Sequence, residues 1–369
     1  MPTALIPDQL QHALVLRDLT DPEAGSHAIQ LLVDEAVDAL AQAWRCDVRR
    51  ERGSRVVPLE DNYDRLRYPP ADVTRDARYT RYVDDRHVLR SHASAMIPPA
   101  LARLADDPAD DVLLVCPGIT YRRDAIDRLH TGTPHQLDLW RITRRHIGDA
   151  ELDEMLRLLV DALVPGRAWR WEPRVHPYTL NGRQVDVGDG GEWVEVWECG
   201  LAHPDVLAHA GLDGWSGLAL GMGLDRLLML RKGIPDIRLL RSADPRVAGQ
   251  MTDLEPYRPV SDLPAVTRDL SVAISVDDDA ELLGDRIRTA LGDRADILEA
   301  VTIVSETSYT DLPPIARERL GINKAQKNVL VRLDLRPLDR TLTDAEANAL
   351  RDDVYESIHE GSTGQWAAR

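Results

Sequence analysis

The stretch at residues 214–234, GWSGLALGMGLDRLLMLRKGI, constrains the fold more than any other part of the chain. An apolar strand runs through Gly221 and Gly223 straight into a helix carrying Leu227, Leu228, Met229 and Leu230. Arg226 falls in the first turn of that helix, where free N–H groups and the dipole already favour an anion. An arginine placed there can grip a triphosphate. Glycine spacing alone fits an ordinary strand–helix turn as well.

A second segment, residues 118–142 (GITYRRDAIDRLHTGTPHQLDLWRI), reads as strand, polar loop, strand. The loop gathers Arg122, Arg123, Arg128 and His130, cations suited to phosphate. On the second strand, period-two geometry sets Gln136 and Asp138 on one face and Leu137 and Leu139 on the other. A polar pair facing a cavity can hold an ammonium group. The same spacing also describes a solvated hairpin edge.

A chain of 369 residues has room for two domains with separate cores. No run of 18 apolar residues occurs, so no membrane span is expected. Early acidic residues (Asp8, Asp18, Asp21, Glu23) argue against a targeting segment. Cys46, Cys116 and Cys199 are too few and too scattered for a disulfide framework or a zinc site, and a cytoplasmic setting is expected. A net charge of −17 excludes nucleic-acid binding over the whole surface, though not on a local patch. The chain contains no phenylalanine.

Residues 1–250 read as one mixed α/β domain. A helix is expected over residues 25–45, and short apolar runs at 112–116, 137–142, 193–196 and 218–220 read as strands of an antiparallel sheet flanked by helices. Residues 251–263 carry prolines without periodicity and read as a linker. Residues 264–369 change character. Strands are expected at 270–276, 301–304 and 329–335, with helices at 279–291 and after the Thr343/Glu346 capping box. That order, with a short strand at the chain end, matches a ferredoxin-like α/β plait, giving an α+β protein in all.

Taken together, these segments resemble motifs 2 and 3 of the class II aminoacyl-tRNA synthetases, and in detail the phenylalanyl family. Tyr121, Arg122, Asp124, Asp127, His130, His135, Gln136 and Asp138 follow its motif 2 in order, and Gly217, Ala219, Gly221, Gly223, Asp225, Arg226 and Leu227 its motif 3. Leu89–Ser94, residues 170–187 and residues 193–204 (WVEVWECGLAHP) resemble three further blocks, and residues 264–269 the opening of the family's ferredoxin-fold anticodon-binding domain. The likeness covers roughly residues 60–369.

The resemblance implies a single-chain phenylalanine–tRNA ligase using ATP and Mg2+. Arg122 and Arg226 would be catalytic, binding ATP phosphates along with Asp124, His130, Pro134 and Glu195, and Glu195 would hold the magnesium. His92, Ser94, Gln136 and Asp138 would hold the amino acid's polar end, and His176, Tyr178, Cys199, Leu218 and Leu220 its pocket. Strand alternation sets Trp193, Glu195, Trp197 and Cys199 on one face and turns Glu198 away. Lys324, Lys327 and Arg332, in the one basic stretch of an acidic C-terminal domain, would meet tRNA. No second subunit is required, so a monomer or homodimer is expected.

Every family phenylalanine is replaced. His176-Pro177-Tyr178 stands where the family has Phe-Pro-Phe, Pro134 where an aromatic would stack on adenine, and Leu218 and Leu220 in motif 3. Either the chain avoids phenylalanine so that it can be made when charged tRNA for phenylalanine is scarce, or specificity has moved to a more polar aromatic amino acid. The second reading follows from imidazole and phenol groups that would stand unpaired around a benzyl side chain. Two further functions are compatible with the motifs: an adenylating ligase with a small-molecule or carrier acceptor, and a non-catalytic tRNA-binding regulator.

Overall fold

The computed structural model describes residues 4–76, 79–260 and 263–364. Two compact units divide the chain. The first comprises Met1–Arg122, Thr133–Ile234 and Gln250–Tyr257, the second Arg123–Gly132, Pro235–Gly249 and Arg258–Arg369. The division is not linear along the sequence, because the polar loop of the second motif belongs with the C-terminal residues.

The first unit holds β1 (Asp47–Arg50), β2 (Val56–Pro58), β3 (His87–Leu89), β4 (Asp111–Ile119), β5 (His135–Thr143), β6 (Trp169–Pro173), β7 (Thr179–Asp189), β8 (Glu192–Ala202) and β9 (Ser216–Gly223). Seven of these form one sheet in the order β1-β4-β5-β9-β8-β7-β6, while β2 and β3 make a separate ribbon. All neighbours in the large sheet are antiparallel except β1 and β4, which run parallel. The expectation of a purely antiparallel sheet is corrected here. Between β1 and β4 the chain crosses over through the ribbon and the helix Ile97–Asp106, as parallel neighbours require.

Helix Ala28–Trp44 forms within the span where a helix was expected, and its buried stripe is Ile29, Leu32, Val33, Ala36, Val37 and Leu40. It ends where Arg45 turns into the left-handed region at φ 53°. Leu31 lies outside the stripe and stays 38% exposed. Central strands β4 and β5 are buried on both faces, so β4 reads as a continuous apolar run rather than an alternating one. Among the described residues no helix is long and apolar enough to cross a membrane.

The second unit is a three-stranded antiparallel sheet, β10 (Val266–Ser275), β11 (Leu298–Ser308) and β12 (Gln326–Leu335), in the order β10-β12-β11. Helices Ala280–Leu291 and Asp344–Ile358 bury Leu283, Ile287, Leu350 and Val354 with Val272, Val329 and Val331 of the sheet. The Thr343/Glu346 capping box is formed. A short helix, Pro314–Leu320, lies between β11 and β12 where none was expected. Of the short strand expected at the chain end, none forms in the described residues after Ile358, and residues 365–369 lie outside the described residues.

Loop Arg123–Gly132 is built into this second unit. Ile126 joins its core, and the Val301 N–H donates to the Ile126 carbonyl at 2.8 Å. Arg288 donates to the carbonyls of Asp124 and Ala125, and Arg123 pairs with Asp285 at 3.1 Å. Gly284 allows the approach, since a Cβ there would lie 2.6 Å from the Asp124 carbonyl oxygen.

Candidate active site

Strand register decides which side chains meet. Gln136, Asp138 and Trp140 of β5 stand opposite Gly223, Gly221 and Ala219 of β9. On the next strand Gly221 is paired with Glu198 of β8. Asp138, Gly221 and Glu198 therefore form one row across three strands, with no side chain in its middle. Gly217, Ala219, Gly221 and Gly223 share this face by period-two alternation and keep it hollow.

Glu198 reaches that row because β8 carries a bulge. Asp186 of β7 pairs with Glu195, but the next residue back, Val185, pairs with Trp197, so Val196 is extra. The slip places Glu195 and Glu198 on one face with Gln184 and Asp186. Trp197 and Cys199 move to the other. The expectation that Glu195, Trp197 and Cys199 share a face, with Glu198 turned away, is overturned by this one residue. Leu218 and Leu220 also face opposite to Asp138, with Leu220 paired to Cys199 and Leu139. The structure thus does not bring Cys199, Leu218 and Leu220 together with Gln136 and Asp138. All three are buried, and burial pushes the Cys199 thiol up to about 12.

At the polar end of the hollow, Asp138 is 2% exposed. Burial raises its pKa to about 7, against hydrogen bonds from Ser94 and from Trp140 Nε1, which lies 3.3 Å from Oδ2. Gln136 Oε1 accepts the Ala93 N–H at 3.0 Å, fixing the turn that carries His92 and Ser94. His92 is held neutral, its pKa lowered to about 4 by burial, with the Arg122 charge pushing the same way. Among the described residues neither ring nitrogen has a partner at hydrogen-bonding geometry, although the Asn62 main chain lies near enough to oppose the shift.

A chain of rings closes the other side. Tyr68 lies 5.6 Å from His92 and 6.1 Å from Tyr178, centroid to centroid. Tyr178 stacks on Trp140 at 6.0 Å and on His176 at 5.7 Å. Burial, with the charges of Asp138 and Glu198, drives the Tyr68 and Tyr178 phenols well above their ordinary values. The His176 imidazole does not stand unpaired, as composition led one to expect. Its Nε2 is 2.9 Å from Glu198 Oε2 and its Nδ1 3.1 Å from Thr179 Oγ1.

Arg226 occupies the first turn of helix Leu224–Lys232, capped by Gly223, and its Nη1 donates to the Glu195 carbonyl at 3.3 Å. The Glu195 carboxyl is raised by burial and by Glu198, and lowered by Arg226. Asp225 and His135 have a different task. Asp225 accepts from the His135 N–H and lies 2.9 Å from its Nδ1, while Nε2 accepts the Leu19 N–H at 3.1 Å. This buried link ties the start of β5 to the start of the Arg226 helix. The carbonyl of Pro134 accepts the Thr120 N–H at 2.8 Å, closing the β4–β5 pair. Asp124 and His130 fall in the second unit, where His130 Nδ1 lies 2.7 Å from Asp127 Oδ2. Among the described residues no three His, Cys, Asp or Glu side chains form a metal cage.

In the second unit Lys324 is exposed. Lys327 pairs with Glu306 at 3.0 Å, and Arg332 meets Asp269 through two contacts of 2.9 Å. Lys324 and Lys327 line a cleft of about 480 Å³ beside Tyr309 and Gln326.

Sequence reasoning missed Tyr68, Trp140, Arg174 and, as a pocket group, Glu198. Trp140 was legible, two residues beyond Asp138 on the same strand. Tyr68 arrives from a loop distant in sequence and carried no signal.

Residues 17–251 match the family of tRNA synthetases described as the class II core domain (F). A phenylalanine–tRNA ligase alpha subunit of Beijerinckia indica is 32% identical over 57% of this chain and 61% of its own. The alpha subunit of Prochlorococcus marinus MIT 9313 is 31% identical over 63% of this chain and 69% of its own. A probable mitochondrial phenylalanine–tRNA ligase of Drosophila melanogaster is 26% identical over 81% of this chain and 74% of its own. The chain thus spans less than two thirds of the first of these relatives. Fold and site together define a class II synthetase core. The chain belongs to the phenylalanyl-tRNA synthetase family.

Proposed function

We propose that this protein activates phenylalanine with ATP and passes the acyl group to tRNA. The observation that carries this reading is the glycine-floored row on one sheet face. It sets a buried carboxylate, Asp138, at one side of a hollow walled by Tyr68, Tyr178 and His176. An ammonium group near Asp138 would favour its ionised form, and a benzyl ring would lie among the aromatic side chains. The choice of phenylalanine is supported by the chain's similarity to phenylalanine–tRNA ligases.

In the reaction the amino-acid carboxylate attacks the α-phosphate of ATP, forming the adenylate and releasing pyrophosphate. A tRNA ribose hydroxyl then attacks the adenylate's carbonyl carbon, taking the acyl group as the bond to AMP breaks and AMP leaves. Arg122 and Arg226 would hold the phosphates where negative charge grows. Glu195, with its raised carboxyl beside Glu198 and Asp186, suits a magnesium ion bound partly by the nucleotide rather than by a protein cage. Magnesium would supply charge neutralisation at those oxygens.

The strand order β10-β12-β11 with two covering helices supports a ferredoxin-like, anticodon-binding role for the second unit. Lys324, Lys327 and Arg332 would meet the RNA. The protein would act in the cytoplasm without a second subunit, as monomer or homodimer. Amino-acid-dependent exchange of pyrophosphate into ATP, run over a panel of amino acids, tests the reading. Phenylalanine should give the highest kcat/KM, and no exchange with any amino acid would refute it.

A further inference from the structure

The hollow contains a closed polar network that the activation chemistry does not use. Glu198 accepts from His176 through Oε2 and from Arg174 Nε through Oε1, each at 2.9 Å. His176 is 9% exposed at its side chain, so its pairing is made largely out of water. Burial alone would raise the Glu198 carboxyl, yet the His176 and Arg174 interactions hold it below the usual range. In the neutral imidazole the proton is then on Nε2, facing the carboxylate, and Nδ1 accepts the Thr179 hydroxyl.

The backbone holds this arrangement in place. The Arg174 N–H donates to the Gly182 carbonyl at 2.8 Å and the Thr179 N–H to the His176 carbonyl at 3.3 Å, folding residues 174–182 into a tight loop. Gly182 is required there, because a Cβ would collide with the Arg174 carbonyl and come 3.0 Å from His176 Nδ1. Glu198 reaches His176 through the bulge at Val196, so the pair depends on a single extra residue in β8.

We propose that Glu198 is a positioning residue that makes His176 serve as an apolar ring. The carboxylate consumes the one N–H, Thr179 satisfies the other nitrogen, and the ring stacks on Tyr178. His176 then offers a substrate a flat π surface and no hydrogen-bonding atom. Because unsatisfied polar groups are what let a pocket select a hydroxylated substrate, their removal favours an unsubstituted aromatic ring. This deepens the phenylalanine reading above and rests on it.

Two measurements test the idea. Nitrogen-15 NMR of the full-length wild-type protein should show His176 as the Nε2–H tautomer at neutral pH, and Glu198→Ala should abolish that preference. A wild-type Nδ1–H tautomer would overturn the proposal without any activity assay. In pyrophosphate exchange, Glu198→Ala should raise the phenylalanine KM about tenfold with kcat changed less than threefold, and cut discrimination against tyrosine about tenfold. Glu198→Gln, whose amide oxygen can accept the same N–H, should recover most of the loss. His176→Phe combined with Glu198→Ala should also restore the phenylalanine KM to within about threefold, since no donor remains to be satisfied. Unchanged KM and discrimination in Glu198→Ala, or no recovery in the double variant, would sink it. Wild-type protein that activates no amino acid refutes the enzymatic reading instead, while the tautomer result still stands or falls separately.

Discussion

The hollow of the first unit and the basic surface of the second treat charge in opposite ways. In the hollow, ionisable groups are buried short of compensation: Asp138 is pushed up to about 7 and His92 down to about 4. On the surface of β10–β12, Arg332 and Lys327 already rest against Asp269 and Glu306. The first arrangement stores interaction energy that a ligand can release, while the second has largely released it. Substitutions should therefore act strongly in the hollow and weakly on the surface.

The largest effect is expected at Arg226. It sits half-buried in the first turn of a helix, with Nη1 donating to the Glu195 carbonyl, and it is not one of the buried core side chains. Arg226→Ala should lower kcat for pyrophosphate exchange by roughly 10²–10³, the scale of one lost oxyanion-type donor. Thermal unfolding should shift little. Wild-type exchange in this variant would remove the phosphate role of the helix.

Next come two neighbours on opposite faces of β9. Leu220 is buried against Cys199 and Leu139, so Leu220→Ala should cost about 2–5 kcal/mol of stability and leave the amino-acid KM within about twofold. A Cβ on Gly221 would lie 3.3 Å from Asp138 Oδ1, so Gly221→Ala should raise KM roughly three- to tenfold with little loss of stability. If Leu220→Ala moved KM as Gly221→Ala does, the separation of the two faces would be wrong.

A smaller effect is carried by pH. Asp138 moves from the ordinary 3.8 up to about 7, so the empty folded protein binds a proton that the unfolded chain has lost. Its stability should fall as pH rises from about 4 through 7 and level off above. Bound ammonium favours the ionised form. The amino-acid KM should thus drop about tenfold between pH 6 and pH 8, following the ionised fraction of a group with pKa near 7. Titrating partners near Asp138 (Cys116, Tyr68 and Tyr178) are shifted upward and do not ionise in this window. Asp138→Asn should flatten the profile, and an unflattened one would assign the titration elsewhere.

What was legible in the sequence follows the same physical divide. Period-two alternation placed Gln136 and Asp138 on one face and Leu137 and Leu139 on the other, because β5 is regular. The same rule failed on β8, where the extra Val196 reverses every later residue and leaves no mark in composition. Caps with local causes, such as Thr343/Glu346, could be read directly. The Arg123–Gly132 loop could not be assigned to the second unit, since its anchors Asp285, Arg288 and Val301 lie more than 150 residues further on. The positions where the resemblance led one to expect phenylalanine do not share one environment. Leu218 and Leu220 pack on the face opposite Asp138, and His176 meets a carboxylate that the alternation rule had turned away.

The smallest effect belongs to the basic surface, and its size follows from pairing. Each phosphate contact adds roughly 0.7–0.9 to the slope of log affinity against log salt. Lys324, exposed and in no ion pair among the described residues, should contribute one full contact, so Lys324→Gln should flatten the tRNA-binding slope by about that amount. Lys327 and Arg332 must first leave Glu306 and Asp269, and the net gain from each is reduced by the pair that breaks. Lys327→Gln and Arg332→Gln should each weaken tRNA binding only a few-fold. The converse substitutions sharpen the point: Glu306→Gln or Asp269→Asn frees a cation and should strengthen binding a few-fold while making it more salt-sensitive. An increase in affinity from removing an acid, matched by a decrease from removing its basic partner, is expected only if phosphate and carboxylate compete for the same guanidinium or ammonium group. Unchanged affinity in all five variants would mean that tRNA approaches another face.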